Sequence, residues 1–263
     1  MNKILKILIT GSNGYIGSSL SDYLEDNGYE VIRLNRSACN LLYKKEVDIY
    51  FSNMKCDVLI HTAVVGGSRL NQEDESVISD NMEMFCNLLR HRKKYEKFIH
   101  FGSGAQCSSN TFYGLSKKAL DTIIDKLDLF YNINIYGLFN AAENDTRFIK
   151  ANIKRALSGE DIIIHKNKKM DFFHMKDLLK LVEYYIVNDV LEKKVDCSYK
   201  TSLTLLEIAG IIKQRCNPAT DIKIVDRGYE EYCGTNTSYL NQIIDSDFLP
   251  RLEETIDNMK LNV

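Results

Sequence analysis

The sequence predicts a doubly wound α/β domain followed by a smaller α+β domain. Three observations carry this expectation. Short apolar runs without polar alternation recur through the first half, stretches with a helical apolar period separate them, and both signals loosen beyond about Asn140. Apolar runs that do not alternate suit strands buried on both faces, as in a parallel sheet covered by helices.

Taken in order, Ile4–Thr10 reads as a buried strand, Tyr15–Asn27 as a helix and Glu30–Leu34 as a second strand. A helix over Tyr43–Asn53, a strand at Val58–Thr62, a long helix over Glu73–Lys93 and a strand at Lys97–Phe101 follow. A helix over Tyr113–Phe130 and a strand at Asn132–Tyr136 complete the series. The first domain is placed at 1–139 and the second at 140–263, with part of the second half free to return to the first sheet. In that half, Thr146–Leu157 reads as a helix. Ile162–Ile164 and Met170–Phe173 read as a hairpin whose charged tip, His165–Lys169, is read as a solvated turn in preference to a phosphate contact. Helices over Lys176–Val187 and Leu203–Arg215 come next, and Pro250 starts a last short helix.

Composition narrows the function. The 34 basic and 36 acidic residues nearly cancel, and a net charge of −2 gives no reason to expect nucleic acid or an anionic membrane as partner. The longest apolar stretches, Ile4–Ile9 and Asp57–Val65, are far shorter than the roughly 18 residues that span a bilayer. No signal-peptide core follows the first residues. The seven cysteines contain no CxxC pair and the five histidines no HxxxH or HxH spacing, so reduced thiols and no metal site are expected. A cytoplasmic location follows from these readings.

Two motifs carry chemistry. Between the first strand and first helix lies Gly11-Ser12-Asn13-Gly14-Tyr15-Ile16-Gly17. Glycines at this spacing permit a tight turn and close approach of backbone to a pyrophosphate, which would rest on the positive end of the helix. The loop therefore marks a Rossmann dinucleotide site with Gly11, Asn13, Gly14, Tyr15, Ile16 and Gly17 around the phosphates. At the end of the second strand, Asn35 and Arg36 stand where an acid would bind the free 2′-hydroxyl of NAD. An arginine there suits a 2′-phosphate, so NADP is favoured and NAD is less favoured.

The second motif is Ser103 followed by Tyr113-Gly114-Leu115-Ser116-Lys117. A chain of this composition contains about one accidental YxxxK, so position must decide. Tyr113 is the only one of the 15 tyrosines with lysine four residues on, and positions 113, 117, 120, 124 and 127 form one apolar stripe. That pattern points Lys117 inward, where an ammonium needs a partner. Beside a phenol it stabilises the phenolate. Tyr113 then exchanges a proton with a carbonyl or alcohol while hydride moves at the nicotinamide, and Ser103 bonds the same oxygen.

Together these residues resemble the extended short-chain dehydrogenase/reductase (NAD-dependent epimerase/dehydratase) family, whose pattern is GxxGxxG, a strand ending in HxA, a Ser or Thr, then YxxxK. Here His61-Thr62-Ala63 supplies the middle element, and Leu138-Phe139-Asn140 and Asp171-Phe172-Phe173-His174 also look like family segments. The resemblance implies that Lys117 also holds the nicotinamide ribose. It places Asn40, Leu41, Thr62, Ala63, Val64 and Asn81 along the cofactor, and it implies a homodimer built on the helices predicted at Glu73–Lys93 and Tyr113–Phe130. Leu115 and Ile123 are assigned to the outward face of the second helix. Within the family the nearest likeness is to GDP-L-fucose synthases and other nucleotide-4-ketosugar reductases. This implies a nucleoside-diphosphate sugar substrate, with Gly66, Gly67, Ser103, Asn140, Phe148 and Arg155 contacting it.

The departures matter. The family's epimerising cysteine and histidine align with Ala105 and Arg147, and the dehydratase acidic pair with Gly104-Ala105. Ser103 and Tyr113 are separated by only nine residues, much shorter than usual in the extended family. The expected activity is NADPH-dependent reduction of a 4-keto-deoxysugar nucleotide without epimerisation. An NAD-dependent 4-epimerase with the same triad and a catalytically idle dinucleotide-binding regulator stand as alternatives.

Overall fold

Each apolar run of the first half forms a strand of one sheet. The computed structural model describes residues 3–68, 72–108 and 110–261. In chain order it contains β1 (Lys6–Thr10), α1 (Tyr15–Asp26), β2 (Glu30–Leu34), α2 (Lys44–Ser52) and β3 (Val58–His61). Next come α3 (Ser76–Leu89), a 3-10 turn at Arg92–Lys94, β4 (Lys97–Ser103), the single-turn α4 (Ala105–Ser108), α5 (Phe112–Ile124) and β5 (Phe130–Ile135). The remainder is β6 (Leu138–Phe139), α6 (Phe148–Leu157), β7 (Ile162–Met170), β8 (Phe173–His174), α7 (Met175–Val187), β9 (Lys194–Asp196), α8 (Leu205–Cys216), β10 (Ile222–Tyr232), α9 (Ser238–Ile243) and α10 (Phe248–Lys260).

The main sheet has the order β2-β1-β3-β4-β5-β9. β1 pairs in parallel with β2 and β3, and β3 in parallel with β4. The strand order reverses at β1, so a crevice forms beyond the carboxyl ends of β1 and β3, where α/β sheets bind ligands. The usual dinucleotide-binding order, 3-2-1-4-5-6, has a further strand outside the second. Here α2 leads straight across to β3, and β2 is the edge. Ile7, Leu8, Ile9, Leu59, Ile60, Phe98 and Ile99 are all essentially inaccessible. Each such side chain contributes roughly 1.5–3 kcal/mol by leaving water.

Two compact units emerge. The first comprises Met1–Asn134 and Leu181–Val195, the second Ile135–Lys180 and Asp196–Val263. Polar clips hold Leu181–Val195 to the first unit. Glu183 accepts hydrogen bonds from Tyr23 Oη (2.5 Å) and Tyr29 Oη (3.0 Å), and Lys97 Nζ donates to the Ile186 and Asn188 carbonyls. In the second unit β7 pairs in parallel with β10 and β6 with β8. Its interior contains Asp177, which is fully buried and accepts from Tyr199 Oη, Arg251 Nε (2.8 Å) and Arg251 Nη2 (2.5 Å).

Three expectations are corrected. The hairpin at 162–173 does not form: β7 runs unbroken through His165–Lys169, because β10 supplies acidic partners, among them Glu230 for Lys166. The helix expected to reach Phe130 ends at Ile124. Leu129 takes a left-handed φ of 60°, which closes the turn that lets Phe130 stack on Phe98 at 4.7 Å. Ile123 does not join Leu115 on an outward face. It packs against the core, while Leu115 is exposed.

Candidate active site

The loop after β1 is built around contacts that exclude side chains. Gly11 has φ +65°, and a Cβ there would lie 2.7 Å from the Ala63 nitrogen. A Cβ on Gly17 would meet the Gly11 carbonyl at 2.4 Å and Thr62 Oγ1 at 2.8 Å. Gly11, Gly17, Thr62 and Ala63 are thus brought together, with Thr62 Oγ1 donating to the Thr10 carbonyl at 2.6 Å. Gly14 is the N-cap of α1 and brings no side-chain cap, and the first turn holds no acid. That leaves the positive end of the helix for an anion. Asn13 and Gly14 are exposed, and Tyr15 and Ile16 half-buried.

The second strand ends as the sequence implies but with a different use of Asn35. Its Oδ1 accepts from Ser37 N (3.1 Å), Ser37 Oγ (2.6 Å) and Ala38 N (3.1 Å), forming a local turn. Arg36 is exposed and makes no ion pair among the described residues. Asn40 likewise turns inward on the backbone of Leu42, and the Leu41 side chain lies in the hydrophobic core. Val64 is exposed. Asn81 is buried and grips the chain: it accepts from Val65 N at 2.9 Å and donates to Val65 O at 2.9 Å and Ser116 Oγ at 3.1 Å.

Ser103 closes β4, where its Oγ accepts from Ala105 N at 3.2 Å. Thr111 caps α5 by accepting from Gly114 N at 2.9 Å, and this helix carries Tyr113 and Lys117. Lys117 is 4% exposed, with its Nζ 5.6 Å from the centre of the Tyr113 ring. The ammonium donates to the Phe101 carbonyl at 2.6 Å and lies 3.5 Å from His100 Nε2. No carboxylate pairs with it among the described residues, and burial lowers its pKa to about 7. His61 and His100 are equally buried. Burial first, and the Lys117 charge second, bring His61 down to about 3 and His100 well below the ordinary range.

Gly66 and Gly67 have φ of +85° and +80°, and a Cβ on Gly67 would touch the Tyr113 ring at 3.0 Å. Glu73 ties this loop to α5, accepting from Gly67 N at 2.6 Å through Oε1 and from Tyr113 N at 3.2 Å through Oε2. A cavity of about 280 Å³ opens beside it, lined by Val65, Gly66, Ser68, Glu73, Ser76 and Val77 among others. The remaining expected substrate contacts belong to the second unit. Asn140 Oδ1 accepts from Ala142 N, Phe148 stacks on Phe172, and Arg155 is paired with Glu160. Arg147 is the N-cap of α6.

Sequence reasoning passed over Glu73, His61 and His100 as parts of the site. For the histidines a signal existed: each interrupts an otherwise apolar strand, Val58–His61 and Lys97–Ser103, where a polar group needs a partner. For Glu73 there was none, since its bonds are to backbone brought near only by the fold.

With the geometry defined, comparisons locate the chain. A family model described as the NAD dependent epimerase/dehydratase family matches residues 7–195. A GDP-L-colitose synthase from Yersinia pseudotuberculosis is 26% identical over 224 residues, covering 70% of this chain and 73% of its own. A CDP-abequose synthase from the same organism is 23% identical over 211 residues, covering 70% and 74%. A solved structure of a GDP-mannoheptose C4 reductase from Campylobacter jejuni, with NADP bound, has the same fold. Its TM-score is 0.83 at 15% identity, with 99% of each chain covered.

Proposed function

The chain belongs to the NAD dependent epimerase/dehydratase family and is an NAD(P)-dependent oxidoreductase of the extended short-chain type, and from that premise we propose that it uses NADPH to reduce the 4-keto group of a nucleoside-diphosphate deoxysugar without epimerising it. One observation carries the reading most directly: a buried lysine with no carboxylate partner among the described residues, facing the ring of an adjacent tyrosine. Such an ammonium is costly for folding and has value only beside a group that must become an anion.

The residues fit a dinucleotide. The uncapped α1 end and the crowded Gly11–Gly17 turn suit a pyrophosphate, and the exposed Arg36 suits a 2′-phosphate. When bound, the nicotinamide supplies the hydride. The chain's own contribution is the proton and its control. Tyr113 Oη gives a proton to the ketone oxygen, Lys117 stabilises the phenolate left behind, and the Ser103 hydroxyl holds the same oxygen. Epimerisation beside the ketone requires a further acid and base, and Ala105 and Arg147 occupy the positions aligned with them. The named relatives, two sugar-nucleotide synthases and a C4 reductase, support a nucleotide sugar as substrate.

The test supplies GDP- and CDP-linked 4-keto-6-deoxysugars with NADPH in deuterated water. Consumption of NADPH with no deuterium gained at C3 or C5 above the enzyme-free control is expected. Tyr113→Phe should lower turnover by about 10²–10⁴-fold with little change in cofactor affinity. Deuterium incorporation would overturn the absence of epimerisation, and unchanged turnover in Tyr113→Phe would overturn the site.

A further inference from the structure

Thr10, His61 and His100 stand side by side on β1, β3 and β4, as the register pairs Thr10 with His61 and His61 with His100. All three are buried. Thr10 Oγ1 and His61 Nδ1 are 2.8 Å apart, and the two imidazoles stack with centres 5.7 Å apart. This polar row is closed by Lys117 from α5, whose Nζ reaches His100 Nε2.

An ammonium has three N–H donors and no acceptor. The Phe101 carbonyl takes one at 2.6 Å. His100 Nε2 is in position for a second, which is possible only if its own proton sits on Nδ1. That Nδ1 is buried and without a hydrogen-bond partner among the described residues. A histidine kept for packing alone leaves this orphan unexplained, because a phenylalanine would fill the same space and stack on His61 without one. The orphan makes sense as the consequence of turning Nε2, as an acceptor, toward the lysine. From this geometry we infer that His100 is a positioning residue for Lys117. As a neutral Nδ1–H imidazole it accepts one ammonium proton and, with the Phe101 carbonyl, leaves the third directed along α5 toward Tyr113. The role it assigns rests on the proposed part of Lys117 in catalysis.

The groups facing the pair are few. His61 approaches from β3, Thr10 lies beyond it on β1, the Phe101 carbonyl comes from β4 itself, and Tyr113 shares the helix of Lys117. The two imidazoles and the ammonium disfavour one another's charge, and burial disfavours protonation of His100 most of all. His100 therefore stays neutral, with Nε2 free to accept while Lys117 is charged.

The first test needs no substitution. Long-range proton–nitrogen NMR of the nucleotide-free wild-type protein should show His100 as the Nδ1–H tautomer at pH 6, where Lys117 is charged. An Nε2–H tautomer overturns the inference. The second follows the Lys117 Cε resonance, assigned by its loss in Lys117→Met. In His100→Phe its midpoint should fall by roughly one pH unit, as for loss of one charge-assisted hydrogen bond. In His100→Gln, which restores a carbonyl acceptor, it should return to within about half a unit. An unmoved midpoint in a folded His100→Phe, or no return in His100→Gln, also overturns it. Neither readout uses a substrate, so wild-type protein inert toward every 4-ketosugar would refute the proposed reaction and leave the His100 result standing.

Discussion

Replacing Lys117 by methionine should make the nucleotide-free protein more stable while abolishing its chemistry. Lys117 is 4% exposed and has no anionic partner among the described residues. Burial lowers its pKa from an ordinary 10.5 to about 7. At about 1.36 kcal/mol per pH unit, that difference corresponds to a folding cost of about 5 kcal/mol when the group is charged in both states. The sign follows from proton counting. Between about pH 7 and 10.5 the unfolded chain binds a proton that the folded chain does not, so wild-type stability rises with pH across this window. Below pH 7 the full cost applies. Methionine removes it but leaves the Phe101 carbonyl and His100 Nε2 without their donor, a combined loss of about 2–4 kcal/mol. The expected gain is about 1–3 kcal/mol at pH 6, shrinking by about 2–3 kcal/mol at pH 9. Urea unfolding of both proteins at the two pH values measures it. A variant less stable than wild type at pH 6, or a gain independent of pH, would show that Lys117 is not held as a desolvated cation.

Other expectations follow from single contacts. Arg36→Ala should weaken NADPH binding and leave NADH binding nearly unchanged, because the exposed guanidinium is assigned to the 2′-phosphate; calorimetric titration with both cofactors distinguishes this from an equal loss. Asp177→Asn should cost about 3–5 kcal/mol in chemical denaturation, since it leaves Arg251 beside a buried neutral group that cannot replace both charged bonds. A loss below about 1 kcal/mol would show that the Arg251 pair contributes little. Gly114→Ala should depress turnover and melting temperature together, because a Cβ would meet the Ala105 carbonyl at 2.5 Å. Wild-type behaviour would mean that α4 yields easily.

What was legible in the sequence is what depends on local pattern. Strands β1 to β5 are built on short apolar runs, interrupted by His61, His100, Asn132 and Asn134, so their order of appearance follows from local composition, and inward placement of Lys117 follows from the 113, 117, 120, 124 stripe. The errors arise where distant chain decides. His165–Lys169 looks like a solvated tip until the acidic β10 pairs with it, and nothing near residue 166 announces Glu230. Leu127 continues the helical stripe in spacing but lies past the end of α5, because Leu129 adopts a left-handed turn.

The nine-residue interval between Ser103 and Tyr113 shows how a departure from pattern is absorbed physically. After Ser103 the chain makes the single turn of α4 and then enters α5 through the Thr111 cap. With so little connecting chain, α4 must lie directly against the first turn of α5, and Gly114 follows Tyr113 because any side chain there would strike the Ala105 carbonyl. A shortened connection also supplies fewer contacts to fix the start of α5. Glu73 provides a substitute from outside: its carboxylate binds the backbone of Tyr113 and of Gly67 together, and the Gly67 backbone lies against the phenol ring. An acid at the N-terminal turn is favoured by the helix dipole as well as by these bonds. The position of Tyr113 is thus set by the cap, the carboxylate and the glycine loop rather than by the length of chain after Ser103, so the short interval is compatible with an intact proton donor.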